Sequence, residues 1–97
     1  MKKIKIEVTE LDISKGYPTA PRSCPIALAI TRQVPNLDVQ VMTTSVEFTK
    51  NNFLGINIPL PEKVTDFIRA VDNPSAGVCY WPFSFEMEVP DDDDFID

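Results

Sequence analysis

The sequence predicts a single α+β domain of order β-α-β-β-α-β, and three observations carry that prediction. Apolar residues alternate strictly with charged or polar ones in residues 2–8 and again in 83–89, the period of half-buried strands. Two internal windows, Pro25–Val34 and Leu60–Val71, carry apolar residues at helical spacing and an early proline, which suits a helix start. The chain has 97 residues with 43% hydrophobic and 25% charged, one domain of ordinary globular composition.

Taken in order, Ile4, Ile6 and Val8 share one face of the first strand, with Lys3, Lys5 and Glu7 opposite. Residues 9–24 read as a long loop punctuated by Gly16, Pro18 and Pro21. The first helix runs from Pro25 to Val34 and stops at Pro35-Asn36. Its first turns are apolar nearly all round, which predicts burial. Val39 and Val41 begin a second strand, and Val46 and Phe48 continue it in the opposite parity. A bulge or bend near Met42–Ser45 is therefore expected. Thr49-Lys50-Asn51-Asn52 reads as a hairpin loop and Leu54, Ile56 and Ile58 as the third strand. Leu60, Val64, Phe67, Ile68 and Val71 form the second helix, and Phe83, Phe85, Met87 and Val89 the last strand. Each strand has one apolar face, so the expected packing is one mostly antiparallel four-stranded sheet with both helices on that face, in a ferredoxin-like arrangement. This domain spans residues 1–89, and residues 90–97 are expected to be a disordered acidic tail.

Composition removes several functions. There is no histidine and there are two cysteines, Cys24 and Cys79, so imidazole acid–base chemistry and the common zinc sites are absent. Nine basic residues stand against 15 acidic ones for a net charge of −6. Five of the acids, Asp91–Asp94 and Asp97, lie in the last eight residues. No basic stripe marks a nucleic-acid binder, and the wet sheet face lacks the aromatics that stack RNA bases. No apolar run approaches the roughly 20 residues of a membrane span, and the alternating start Met1–Glu7 is not a signal peptide. A cytoplasmic protein with no cofactor and no enzymatic activity is expected.

Two stretches are candidate sites. Tyr17–Pro25 leads into the first helix, whose N-terminal amides attract anions. Cysteine is a poor cap, so with Cys24 at the cap the amides of Ile26 and Ala27 would be open to an outside anion. Arg22 and Lys15 would supply charge for phosphate, Ser23 a hydroxyl, and Tyr17 a ring for a base. The plainer alternative is that Ser23 caps the helix and Cys24 is a small buried hydrophobe. The second stretch, Gly77–Phe83, holds Tyr80 and Trp81, which either stack on a base or pack a core or interface. Phe95 and Ile96 are apolar anchors in the tail, or fold back onto the domain.

The run Arg22-Ser23-Cys24-Pro25-Ile26-Ala27-Leu28-Ala29 resembles a segment found in a group of small proteins of bacteriophages and related bacterial elements. Leu60–Val64, Phe67–Ala70 with Asp72, and Pro82–Val89 share that resemblance, which covers roughly residues 2–89 and leaves the tail outside. It implies a bacterial cytoplasmic setting and a phage accessory role, such as inhibition of host defence, and it supplies no catalytic residue. The expected function is then a non-enzymatic sponge that sequesters an anionic nucleotide immune signal through Lys15, Tyr17, Arg22, Ser23, Cys24, Tyr80 and Trp81, in a homo-oligomer. The alternative is a protein-binding inhibitor of a host defence complex, of anti-CRISPR or DNA-mimic type, acting through its surface or acidic tail. A nucleotide-degrading enzyme ranks last.

Overall fold

The computed structural model describes residues 1–50, 55–72 and 81–95, the side chain of Asp92 apart. Among them are five strands in two antiparallel sheets, three α-helices and a 3-10 turn. Strand β1 (Lys2–Val8) leads through α1 (Glu10–Lys15) and a loop to α2 (Pro25–Gln33). Strands β2 (Asp38–Val41), β3 (Ser45–Thr49) and β4 (Ile56–Pro59) follow, then α3 (Glu62–Asp72), β5 (Phe83–Val89) and the 3-10 turn Asp92–Phe95.

The two terminal strands pair as the alternation demands. β1 and β5 run antiparallel in unbroken register from Lys2↔Val89 to Val8↔Phe83. Ile6, Val8, Phe85, Met87 and Val89 face the core, and Lys3, Lys5, Glu7, Glu86 and Glu88 face solvent. The other sheet is a meander in which β2 pairs β3 and β3 pairs β4, both antiparallel.

The parity switch after Val41 has a different cause from the bulge expected. The chain reverses there: Val41 pairs Val46, Val39 pairs Phe48, and the Met42 amide donates to the Ser45 carbonyl at 2.8 Å. Residues directly opposite in an antiparallel pair project to the same side. All four side chains therefore reach the core, at 5% exposure or less. The expected hairpin loop 49–52 begins one residue inside β3, and Asn51, Asn52 and Leu54 lie outside the described residues.

The segment read as a long loop contains α1. Thr9 caps it, its Oγ1 accepting the Asp12 amide at 3.2 Å while Asp12 Oδ2 accepts the Thr9 amide at 2.9 Å. This reciprocal pair satisfies two otherwise orphan donors. Gly16 ends the helix, and a Cβ there would lie 2.5 Å from Pro25 Cδ. The close approach of α1's end to α2's start therefore excludes any larger residue.

A ferredoxin-like sheet requires β1 to pair with a strand of the meander. Among the described residues the strands instead form separate two- and three-stranded sheets. Helix α2 occupies the place between them, touching β1 on one side and β2 on the other. Gln33 Oε1 accepts the Glu7 amide, and Gln33 Nε2 and Arg32 donate to the Glu7 carbonyl, each at 3.0 Å. These side chains take the backbone groups that a neighbouring strand would have used. One core nonetheless joins both sheets, with Ile6, Ile26, Ile30, Val46, Phe48, Val64 and Val89 fully buried. Helix α3 closes it, the Phe67 ring tilted 55° against that of Phe83 with centroids 4.9 Å apart.

The tail expected to be disordered is folded as far as Phe95. Phe95 is 6% exposed and belongs to the core. Asp91 and Asp94 hold the Met1 ammonium at 3.6 and 3.2 Å, and Lys2 lies 3.7 Å from Asp91. An apolar anchor and a cationic chain terminus together outweigh the self-repulsion of the aspartates. Ile96 and Asp97 lie outside the described residues.

Candidate functional site

The loop between α1 and α2 is stapled by its own backbone. The Tyr17 amide donates to the Ser23 carbonyl at 2.9 Å, and the Ser23 and Cys24 amides donate to the Ala20 carbonyl at 3.1 and 2.9 Å. Thr19 adopts φ 64°, a left-handed conformation costly for a β-branched residue. Its amide donates to Asp72 Oδ1 at the end of α3, at 2.9 Å. The Pro21 carbonyl accepts the Val41 amide at 2.8 Å, where β2 ends. The loop is thus pinned to α3 and to the meander at two separate points.

This arrangement places five of the expected ligand residues along one surface segment. Lys15, Tyr17 and Arg22 are exposed, Ser23 is half-buried and Cys24 is buried. Tyr17 presents 70% of its surface to solvent. Beside them is a cleft of about 230 Å³, lined by Thr19, Pro21, Cys24, Met42, Ile68 and Asp72 among others. Sites for drug-sized ligands occupy about 300–1,000 Å³, so this cleft is smaller than a site that encloses such a ligand. Its one acidic lining residue, Asp72, faces any anion that enters.

The start of α2 is closed to such an anion. Cys24 is the cap, as its position before Pro25 implies, and its Sγ accepts the Ala27 amide at 3.5 Å. Ile26 and Ala27 are fully buried. The expectation that their amides wait for an outside anion is therefore corrected: a buried thiol supplies the acceptor and core packing covers the rest. Ser23 is not the cap. Burial pushes the Cys24 thiol above its ordinary range, and nearby Asp72 adds to this against the opposing pull of the helix amides. The thiol is neutral at physiological pH, which suits a structural cysteine and not a nucleophile.

Trp81 lies elsewhere. It stands just before β5, whose first residue pairs with the last of β1, and is 76% exposed. The adjoining Pro82 borders a shallow depression with Val8, Thr9 and Glu10. Leu11, next along α1, is 60% exposed. Tyr80 lies outside the described residues, as does Cys79. Trp81 is not among the residues lining the Thr19–Met42 cleft; its neighbour Pro82 borders the depression at the α1 start instead.

Two features went unread in the sequence. Asp12 is 7% exposed and binds Arg32 Nη2 at 2.7 Å through Oδ2. Burial by itself would raise its pKa, but the Thr9 amide, Arg32 and the Thr9 hydroxyl together hold the carboxyl below the usual carboxylate range. Its signal was the spacing Thr9-x-x-Asp12, a capping-box pattern. The second is Asp72 as an anchor for Thr19, for which 53 residues of separation leave no local signal. At the chain ends, the hydrogen bond and charge of Asp94 raise the pKa of the Met1 ammonium. The Asp91 amide and that ammonium lower the pKa of Asp94.

Among the described residues, no cluster of three or more Cys, Asp or Glu side chains could hold a metal ion. No helix there is long and apolar enough to cross a membrane. No protein-family model, curated protein or solved structure gives a match to this chain.

Proposed function

We propose that this chain is a non-enzymatic binding protein that acts by contact with another protein, in keeping with the phage-type inhibitor role that its motif resemblance implies. The observation that carries this reading is the exposure of Trp81 and Leu11, the chain neighbours of Pro82 and Glu10, which line one depression with Val8 and Thr9. Exposed tryptophan is expensive to leave in water and is among the strongest contributors to protein interfaces. Clustered exposed apolar side chains mark interaction sites. The net charge of −6 favours a partner with a basic surface.

A second reading keeps nucleotide sequestration, favoured by exposed Lys15, Tyr17 and Arg22 on the loop whose Thr19, Pro21 and Cys24 line a cleft with Met42. One experiment separates the two. Thermal shifts are measured against linear and cyclic nucleotides, and partner capture from bacterial lysate is compared for the native chain, Trp81→Ser and Arg22→Ala. The protein-contact reading expects no nucleotide shift and a captured partner lost on Trp81→Ser but kept on Arg22→Ala. A ligand at a hundredfold excess over Kd adds about 2.7 kcal/mol. A nucleotide shift of that size, abolished by Arg22→Ala, would replace it with the sponge.

A further inference from the structure

We propose that the outer edge of β1, at Lys3 and Lys5, is a strand-addition site for an extended partner segment that alternates acidic and apolar residues. It concerns a different surface from the Trp81 region and stands independently of it. Glu7 pairs with Ser84 in register, yet its amide and carbonyl bind Gln33 and Arg32. On β5, the Ser84 carbonyl accepts Lys63 Nζ at 2.7 Å. This pair is therefore of the non-hydrogen-bonded kind, with backbone groups turned away from the ladder. In an antiparallel pair this alternates every second residue. The amides and carbonyls of Lys5 and Lys3 then point to the same outer edge as those of Glu7.

At Glu7, α2 covers that edge. At Lys3 and Lys5, no described residue takes those backbone groups in a hydrogen bond. The edge thus presents four backbone groups, the number that two residues of an added strand would meet. Sheet edges in this condition are templates for pairing, and strand addition is a recurrent mode of peptide recognition.

Side-chain chemistry selects the occupant. On the wet face, Lys3 and Lys5 are exposed and make no ion pair with a described residue. Glu88 and Glu86 stand opposite Lys3 and Lys5 on the β5 side, away from the outer edge, and Asp91 and Asp94 are committed to Met1 and Lys2. An added strand with acidic residues on this face gains attraction, and one with lysines meets repulsion. On the core side of β1 a groove of about 240 Å³ is lined by Ile4, Val34, Pro35, Leu37 and Pro90 and, in nearly equal number, by polar residues including Asn36. Ile4 is only half-buried there. A groove of that size takes one or two apolar side chains. Period-two alternation would send them there while the acids face Lys3 and Lys5. A second copy fits less well, because the apolar side chains of its acidic strand β5 are already packed in its own core.

The test uses the full chain and a capped synthetic peptide of the chain's own Phe83–Val89 sequence, Phe-Ser-Phe-Glu-Met-Glu-Val, as the probe. Amide hydrogen exchange is followed by NMR. The expected result is slowed exchange at the Lys3 and Lys5 amides, with those of Ile4 and Ile6 unchanged. A peptide with both glutamates replaced by lysine is expected to bind at least about tenfold more weakly. Lys5→Pro removes one outward amide at an edge position where proline is tolerated, and is expected to abolish the protection. The peptide arm keeps the test decisive should that variant not fold. Equal affinity for both peptides, or no change at Lys3 and Lys5, would overturn the proposal. So would changed exchange at Ile4 and Ile6, the sign of exchange with β5. Protection of Lys3 and Lys5 that grows with protein concentration alone would show the occupant to be a second copy, and would equally overturn it.

Discussion

Phe95 converts the acidic C-terminus from a solvating tail into part of the fold, and truncating its side chain measures that directly. A phenylalanine buries about 150–250 Å², and at 6% exposure Phe95 loses nearly all of that to the core. At about 25 cal/mol per Å² this is an upper bound of roughly 4–6 kcal/mol. Part is returned, because a tail released from its anchor regains chain entropy. That gain is itself offset by the loss of the Asp91–Asp94 turn and the contacts to Met1. Phe95→Ala is therefore expected to cost about 2–3 kcal/mol, toward the low end of buried phenylalanine truncations. For a domain of this size that lowers the midpoint by about 8–24 °C. Urea and thermal unfolding, followed by circular dichroism on the native chain, Phe95→Ala and Asp93→Asn, provide the assay. Asp93 is exposed and its substitution is expected to change stability by less than about 0.5 kcal/mol. If Phe95→Ala unfolds within 2 °C or so of the native chain, the tail contributes nothing and the assignment of Phe95 to the core is wrong.

Three further perturbations test the local arguments. Asp12→Asn removes the charge that Arg32 and the Thr9 amide hold and is expected to cost about 1–3 kcal/mol at neutral pH. The pKa of Asp12 is lower folded than unfolded, so its contribution is present above the ordinary carboxylate value near 3.8 and lost as pH falls through the folded value. The gap between the two proteins in denaturant titrations should therefore close in acid, and a pH-independent gap would refute a carboxylate role. Cys24→Ala deletes the cap on Ala27 and is expected to cost about 1–2 kcal/mol, whereas Cys24→Ser restores an oxygen acceptor and should recover much of it; equal loss in both would mean that packing and not capping decides. Thr19→Gly relieves a residue at φ 64°, and unfolding should show a gain of up to about 1 kcal/mol after the added freedom of the unfolded chain is set against it. A clear loss would show that the threonine side chain holds the loop.

What was legible in this sequence is what depends on near neighbours. The alternation in residues 2–8 and 83–89 placed both terminal strands and named the faces that became core and solvent. Pro25 and the apolar run behind it placed α2 but left the cap between Ser23 and Cys24, and the structure gives it to Cys24. Helix α1 was there to be read in Thr9-x-x-Asp12, but six residues carry too little periodicity to stand out from a loop. Tertiary structure decided the rest. The parity switch at Met42–Ser45 fits a bulge and a reversal equally, and only the partner strand tells them apart. Whether β1 accepts a second neighbour depended on Gln33 and Arg32 reaching the Glu7 backbone across 25 or 26 residues. Whether the helix amides stay open depended on the burial of Cys24, Ile26 and Ala27. Whether Asp91–Asp94 remain solvated depended on Phe95 finding the core and on the Met1 ammonium lying beside them. Local pattern sets the period and the faces of each element, because these follow from backbone geometry alone. Pairing, closure and exposure follow from which distant side chain arrives to satisfy a polar group or cover an apolar one.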